Sequence, residues 1–139
     1  MVSAAQGMSA GQQQSTATAA AAEPGDAMLL CIQECLDCHR ACLQTLVYCT
    51  RQGGPHADPD HLRLMMDCAQ VCQTSADFML RGSDLHYATC GACAEVCQRC
   101  ADDCERMGRG DNRMAACAEE CRRCAESCRQ MAGHQAMHA

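Results

Sequence analysis

The cysteines of this chain recur at alternating spacings of four and three residues, and this spacing constrains the fold more than any other feature. Side chains three and four residues apart lie on one face of an α-helix, and an alternating four-three repeat marks the inward stripe of a packed helix. Sixteen of the 139 residues are cysteine, so the pattern predicts helices whose core stripe consists of thiols. The stripe residues are Cys31, Cys35, Cys38, Cys42 and Cys49; Cys68 and Cys72; Cys90, Cys93, Cys97, Cys100 and Cys104; and Cys117, Cys121, Cys124 and Cys128.

Turn and capping signals divide the chain into a tail, a folded domain and a second tail. Residues 1–25 are rich in Ala, Gln, Ser and Thr and predict a flexible N-terminal tail. Residues 26–133 form the predicted domain, and residues 134–139 a short C-terminal tail. Four helices are expected, and their predicted N-caps are Asp26, Asp58 (followed by Pro59), Ser83 or Asp84, and Asp111. Their predicted ends lie near Gln52, Arg81, Met107 and Gly133. Short connections make successive helices antiparallel, so the fold class is all-α, an up-down-up-down four-helix bundle with a Cys-lined core.

Composition excludes several function classes. The net charge is −6 and the basic residues are eleven Arg with no Lys; they form no basic stripe, which argues against nucleic-acid binding. No apolar run is long enough to span a membrane. Since no export signal is visible, a cytoplasmic location is expected, and an exported mature form without its signal remains the alternative.

The thiols are expected to be reduced and to bind soft metal ions. Neighbouring cysteines on one helical face have nearly parallel Cα–Cβ bonds, which suits disulfide geometry badly. Seven Cys-x3-Cys pairs place two sulfurs on one face, so one helix is expected to supply a complete two-sulfur site for Cu(I), which is soft and prefers thiolate. Zinc prefers four ligands. Sixteen thiolates with sixteen Cu(I) are neutral, whereas four Zn(II) leave a buried charge of −8, so the charge favours Cu(I). Without metal, burial is expected to raise the thiol pKa and keep most thiols protonated.

Softer ligands continue the stripe at its ends. The end with the first and third turns is expected to be the metal entrance, with candidate ligands His61, Met65, Met107 and Met114 beside Cys49. The opposite end has Met28, Met79, His86 and Met131. His56, in a Gly/Pro/Asp loop, and His39, beside the stripe, are expected to be solvent-exposed.

With its runs CAEVCQRCADDCERM and CAEECRRCAESCRQM, its repeated Cys-x3-Cys pairs and its near absence of aromatic residues, the chain resembles the bacterial four-helix-bundle copper storage proteins over roughly residues 27–132. The resemblance implies that the cysteines hold many Cu(I) ions along the bundle axis, loaded through a His- or Met-lined end. It also implies a homotetramer of the cytosolic branch. The second helix departs from the full stripe, because only Cys68 and Cys72 are thiols there.

The sequence therefore predicts a non-enzymatic protein that stores many Cu(I) ions per chain. Candidate partners are copper chaperones and small-molecule copper carriers. Two alternatives remain open: a Zn/Cd-buffering protein similar to metallothionein, and a thiol redox protein.

Overall fold

The computed structural model of the protein describes residues 25–133. Four helices follow one another, with a short 3-10 helix (Gly54–Ala57) after the first: α1 (Asp26–Gln52), α2 (Pro59–Leu80), α3 (His86–Met107) and α4 (Asn112–Ala132). Apart from Gly25, the predicted tails of residues 1–25 and 134–139 lie outside the described residues.

The four helices form a ring in which each packs against two neighbours: α1 on α2, α2 on α3, α3 on α4 and α4 on α1. At one end, Cys49 Sγ near the end of α1 lies 3.4 Å from His61 Nε2 and 3.5 Å from Met114 Sδ, near the starts of α2 and α4. At the other end, Cys31 Sγ lies 3.6 Å from Cys128 Sγ, near the end of α4. Successive helices therefore run antiparallel, and the predicted up-down-up-down four-helix bundle is confirmed.

The helix starts agree with the predictions at α2 and α4. Asp58 caps α2 and accepts a hydrogen bond from the backbone N–H of His61. Asp111 caps α4 and accepts from the N–H groups of Arg113 and Met114. Both carboxylates satisfy N–H groups that a helix leaves unpaired in its first turn.

The predicted N-cap Asp26 is wrong, because α1 begins one residue earlier. Gly25 is the N-cap, with an extended backbone (φ −77°, ψ 176°), and no side chain caps the start of the helix. Asp26 is instead the first helical residue, where its negative charge interacts favourably with the helix dipole.

The predicted cap of α3 by Ser83 or Asp84 is also wrong, since the N-cap is Leu85. Ser83 organises the turn before the helix: its Oγ accepts from the Leu85 N–H at 3.1 Å, and its carbonyl accepts from the His86 N–H at 3.3 Å. The serine hydroxyl thus closes a local turn instead of capping the helix.

Two glycines allow tight turns at the same end of the bundle. Gly53 follows α1 with a φ of 70°, a left-handed conformation that residues with a Cβ rarely adopt. Gly108 follows α3 and packs so closely against α4 that a Cβ on it would overlap the side chain of Met114. This close approach lets the turn fold back and bury Met114 completely.

The core contains almost no large apolar side chains. The largest fully buried side chains are those of four methionines and His61, and cysteine and alanine make up most of the other buried residues. None of the helices within residues 25–133 is long and apolar enough to cross a membrane.

Candidate metal centre

All sixteen cysteines are buried and all are free thiols. Fifteen have no exposed surface, and Cys117 is 2% exposed. The four-three spacing places them on the inner stripe, as predicted. Five buried alanines that directly follow a cysteine lie beside the stripe and let the helices approach closely: Ala69, Ala94, Ala101, Ala118 and Ala125. The interior of the bundle is therefore a column of sulfur atoms.

Four groups of these thiols are compact enough to hold a metal ion, each with all its sulfur atoms within 4.8 Å of one another. From the Cys31 end of the bundle towards the Cys49 end, the groups are Cys31, Cys90 and Cys128; Cys35, Cys93, Cys124 and Cys128; Cys38, Cys72, Cys97 and Cys124; and Cys38, Cys42, Cys68 and Cys121. These groups account for twelve different cysteines. Cys100 and Cys117 interact with Cys42 and Cys121 of the last group, and Cys104 interacts with Cys100 and Cys117.

Each group of three or four sulfurs draws them from three or four helices, so sites between helices are available as well as the predicted two-sulfur sites within one helix. The shortest contact between two cysteine sulfurs, 3.5 Å, joins Cys72 of α2 to Cys97 of α3. Within one helix, the Cys93–Cys97 pair is 3.7 Å apart, and each member also contacts Cys72 of α2. Packing of the ring brings sulfurs from different helices as close as sulfurs four residues apart.

Neighbouring groups share thiols. Cys128 belongs to the first and second groups, Cys124 to the second and third, and Cys38 to the third and fourth. Cys124, shared with the third group, lies 3.7 Å from Cys35 of the second group. Cys38, also shared with the third group, lies 3.7 Å from Cys121 of the fourth. A thiolate can bridge two metal ions, so the geometry fits a continuous chain of sites better than separate ones.

The spacing of the sulfurs fits direct metal coordination. Contacts between them measure 3.5 to 4.0 Å. Two metal–sulfur bonds of about 2.3 Å, the length of Zn–S bonds, span sulfurs up to about 4.6 Å apart. A soft ion can therefore be held by two or three of these sulfurs without a large movement of the backbone.

Burial and hydrogen bonding shift the thiol pKa values in both directions. Burial, followed by the charge of Cys117, raises the pKa of Cys49 to about 11. Hydrogen bonds with Cys100 and Cys117 hold the pKa of Cys121 well above its usual value. Hydrogen bonds with Cys128 and Cys35 lower the pKa of Cys124. Burial acts to raise these pKa values, as expected, but at some sulfurs, such as that of Cys124, hydrogen bonds from neighbouring S–H groups stabilise the thiolate and lower the pKa.

The end of the bundle with the first and third turns carries a mixed ligand set. Cys49 Sγ contacts both His61 Nε2 and Met114 Sδ. The other ring nitrogen of His61, Nδ1, lies 2.5 Å from Asp103 Oδ2, and Asp103 also pairs with Arg106. The Nδ1–H donates to Asp103, and this leaves Nε2 as the acceptor facing the Cys49 sulfur.

The remaining predicted entrance ligands are placed differently. Met65 is fully buried, one turn after His61 on α2. Met107 is only half-buried and packs against the core at the end of α3. At the opposite end, Cys90 Sγ contacts Met79 Sδ at 3.8 Å, and Met131 is 1% exposed.

Three polar residues near the sulfur column were missed or misplaced by the sequence reasoning. Thr45 lies three residues after Cys42 and is buried on the stripe, as is Ser75 three residues after Cys72; the spacing alone was sufficient to find Thr45. His39 and His56 are half-buried rather than solvent-exposed as predicted. His39 Nδ1 donates to the carbonyl of Ala69 at 2.7 Å, and His56 Nε2 lies 3.1 Å from an Asp111 carboxylate oxygen.

Comparison with known proteins identifies related chains. The Nitrosospira multiformis protein Nmul_A1745 is 46% identical, with a TM-score of 0.73 over 78% of this chain and 96% of that chain. The Cu(I)-bound copper storage protein BsCsp3 of Bacillus subtilis is 31% identical, with a TM-score of 0.71 over 77% of this chain and 99% of that chain. A cytosolic copper storage protein from Streptomyces lividans, solved with five coppers, is 32% identical, with a TM-score of 0.68 over 78% and 93%.

These likenesses extend over the whole bundle. The family model for copper storage proteins, Csp, matches residues 25–133, which are the residues that form the four helices and their sulfur column. The chain therefore belongs to the copper storage protein family.

Proposed function

We propose that this protein stores many Cu(I) ions on the thiolates that line the core of its bundle. The observation that carries the proposal is the continuous column of sixteen buried free thiols, whose compact groups share sulfurs. Such an interior forms a weak apolar core and a strong ligand set for a soft ion. All sixteen cysteines are the proposed ligands.

Charge supports Cu(I) as the stored ion. The core contains no Arg among its buried residues in the described part of the chain, so excess negative charge there has no cationic partner. One Cu(I) per thiolate leaves the interior neutral, whereas four-thiolate Zn(II) sites carry two negative charges each. Each Cu(I) that binds a protonated thiol releases its proton to solvent.

The zinc alternative has one observation in its favour. A tetrahedral Zn(II) site with bonds of about 2.3 Å has sulfurs about 3.8 Å apart, and several of the sulfur contacts have this length. Competition between Cu(I) and Zn(II) for the reduced protein decides between the two ions. We expect Cu(I) to displace Zn(II) completely.

We infer that Cu(I) enters at the end of the bundle that carries Cys49, His61 and Met114. Imidazole and thioether bind Cu(I) more weakly than thiolate does, which suits a site where ions arrive and move on. The hydrogen bond from His61 to Asp103 fixes the ring orientation, and this keeps Nε2 directed at the incoming ion. Met65 and Met107 are proposed as neighbouring ligands of this entrance.

The proposal also covers how the chains assemble, where the protein is located and whether it is a catalyst. Leu29, Leu36 and Leu43 recur every seven residues along α1, and Leu29 and Leu43 are exposed, which supports association of chains, proposed as a homotetramer. The proposed location is the cytosol, where thiols stay reduced. The proposed role is storage without catalysis, supplied by copper chaperones or small-molecule carriers. Sedimentation measurements of the apo and loaded protein test the tetramer.

A Cu(I) titration of the reduced apo-protein against a competing chelator tests the storage function. We expect tight binding up to a plateau of about ten or more equivalents per chain. A plateau at one or two equivalents contradicts storage. A count of free thiols in the freshly isolated protein separates storage from the redox alternative, which requires oxidised pairs.

A further inference from the structure

A groove between α1 and α4 runs along the outside of the bundle towards the sulfur column. Its volume is about 1000 Å³, and its lining includes Thr45, Tyr48 and Ala116. Thr45 is 7% exposed, and its side chain interacts with the thiol of Cys117. Cys117 is the one cysteine with any exposed surface. The thiol interior therefore lies close to the groove at Thr45.

The groove has an excess of positive charge. Its ionisable lining consists of Asp37 and Glu120 together with Arg40, Arg51, Arg113 and Arg123. Arg40 pairs with Asp37, and Arg123 pairs with Glu120. Within residues 25–133, Arg51 and Arg113 make no ion pair with a carboxylate.

The two unpaired arginines lie at the end of the groove nearest the proposed entrance. Arg51 is in the last turn of α1, two residues after Cys49, and Arg113 is in the first turn of α4, next to Met114. The guanidinium of Arg113 stacks over the ring of Tyr48, 4.9 Å from its centroid, and this contact holds it in the groove. The neighbouring Asp111 carboxylate already accepts from the Tyr48 hydroxyl group.

We propose that this groove binds an anionic low-molecular-weight thiol complex that delivers Cu(I), with the carboxylates of the carrier on Arg51 and Arg113. The inference rests on the proposed storage function and names the class of the copper donor. Two thiolates on one Cu(I) carry a net charge of −1, and carboxylates on the carrier add to it. Bidentate pairing with guanidinium is the strongest recognition of carboxylate that side chains offer.

The size and the field of the groove fit such a ligand. Small-molecule sites are commonly clefts of about 300–1000 Å³, which covers a complex of one or two peptide-sized thiols. The chain as a whole has a net charge of −6 and repels an anion at long range. A local positive patch beside the entrance is therefore needed to bring an anionic donor to the thiols.

Transfer then follows as ligand exchange without oxidation or reduction. The sulfur of Cys117 forms a bond to Cu(I), one carrier thiolate leaves, and the Cys117 proton moves to that thiolate. A second exchange with Cys42, which interacts with Cys117, releases the second carrier thiol in the same way. The products are one Cu(I) bridged by two protein thiolates, with the net charge of −1 retained, and two neutral carrier thiol groups.

The test compares two copper donors and two double variants. The donors are the Cu(I) complex of glutathione, which carries carboxylates, and that of 2-mercaptoethanol, which does not. The test variant is Arg51→Ala/Arg113→Ala. The control is Arg63→Ala/Arg99→Ala, which removes the same charge from exposed arginines outside the groove. The rate of copper uptake is measured by stopped-flow absorbance at low and high salt.

We expect the test variant to take Cu(I) from glutathione about tenfold more slowly than wild type at low salt. Uptake from 2-mercaptoethanol, and uptake by the control from either donor, stay within about twofold. A third variant, Arg51→Lys/Arg113→Lys, retains the charge and is expected to recover only part of the rate, because an ammonium group cannot pair bidentately with a carboxylate.

Three results overturn the inference: an unchanged glutathione rate in the test variant, equal slowing with both donors, or equal slowing in the control. Failure of the proposed function gives a different result, since wild type then takes up only one or two ions from either donor.

Discussion

Sharing of sulfurs between neighbouring groups predicts that some cysteines matter more for copper capacity than others. Cys38 and Cys124 each belong to two groups, whereas Cys31 and Cys90 both belong to the single group at the far end. All four side chains are completely buried. The variant Cys38→Ser/Cys124→Ser therefore removes two bridging sulfurs, and Cys31→Ser/Cys90→Ser is a control matched in chemistry and burial.

The expected losses follow from two-coordinate Cu(I). A bridging thiolate contributes to about two ions, and a thiolate at the end of the column to about one. The test variant should therefore lose about three to four ions per chain and the control about two. Native mass spectrometry counts the ions bound to each chain directly. Circular dichroism checks that both variants remain helical, because each buried Ser costs about 1–2 kcal/mol of stability.

Equal losses in the two variants would refute the shared-sulfur reasoning, since separate sites lose the same number of ions for each thiol removed. A test variant that loses no more than one ion would also contradict it.

Three further predictions concern the entrance, a turn and pH. His61→Ala should slow Cu(I) uptake several-fold without reducing the final capacity, whereas Met79→Ala, a change at the opposite end, should leave the rate of uptake unchanged. Stopped-flow measurements of copper loading compare the two variants, and equal rates argue against an entrance at His61. Gly108→Ala should lower the free energy of unfolding of the apo-protein by about 1–3 kcal/mol, because the added Cβ overlaps the side chain of Met114. The control Gly91→Ala adds a Cβ that makes only an ordinary contact, so its free energy of unfolding should be unchanged or higher. Urea unfolding measures both variants. Burial, followed by interaction with Glu34, raises the pKa of Glu120 from 4.5 to about 7. This group should therefore stabilise the fold fully below pH 4.5 and lose that contribution as the pH rises through 7. Glu120→Gln should flatten that part of the curve of stability against pH, and an unchanged curve contradicts the assignment.

The spacing of the cysteines was sufficient to predict the bundle and its thiol-lined interior. A four-three repeat specifies one face of a helix, and four such faces joined by short turns have few ways to pack. The caps Asp58 and Asp111 were predictable because each stands directly before a helix and after a turn signal. Asp26 was misplaced by one residue, since a glycine can occupy the N-cap without a side chain.

The sulfur groups themselves were beyond prediction from spacing. Whether Cys72 contacts Cys97 or another thiol depends on how far α2 is shifted along α3, and that shift is set by the packing of side chains between the two helices. For the same reason, the direction of the pKa shift at Cys124 was inaccessible, because it depends on which sulfurs donate to it. Asp103 was missed because it lies beside the stripe and reaches His61 only across the α2–α3 contact.

A crystal structure of the copper-loaded protein, with anomalous scattering measured at the copper absorption edge, tests the central claim most directly. We expect about ten or more copper positions along the bundle axis, each within bonding distance of two or three cysteine sulfurs. One or two copper positions, copper confined to surface histidines, or disulfide bonds between these cysteines would contradict it.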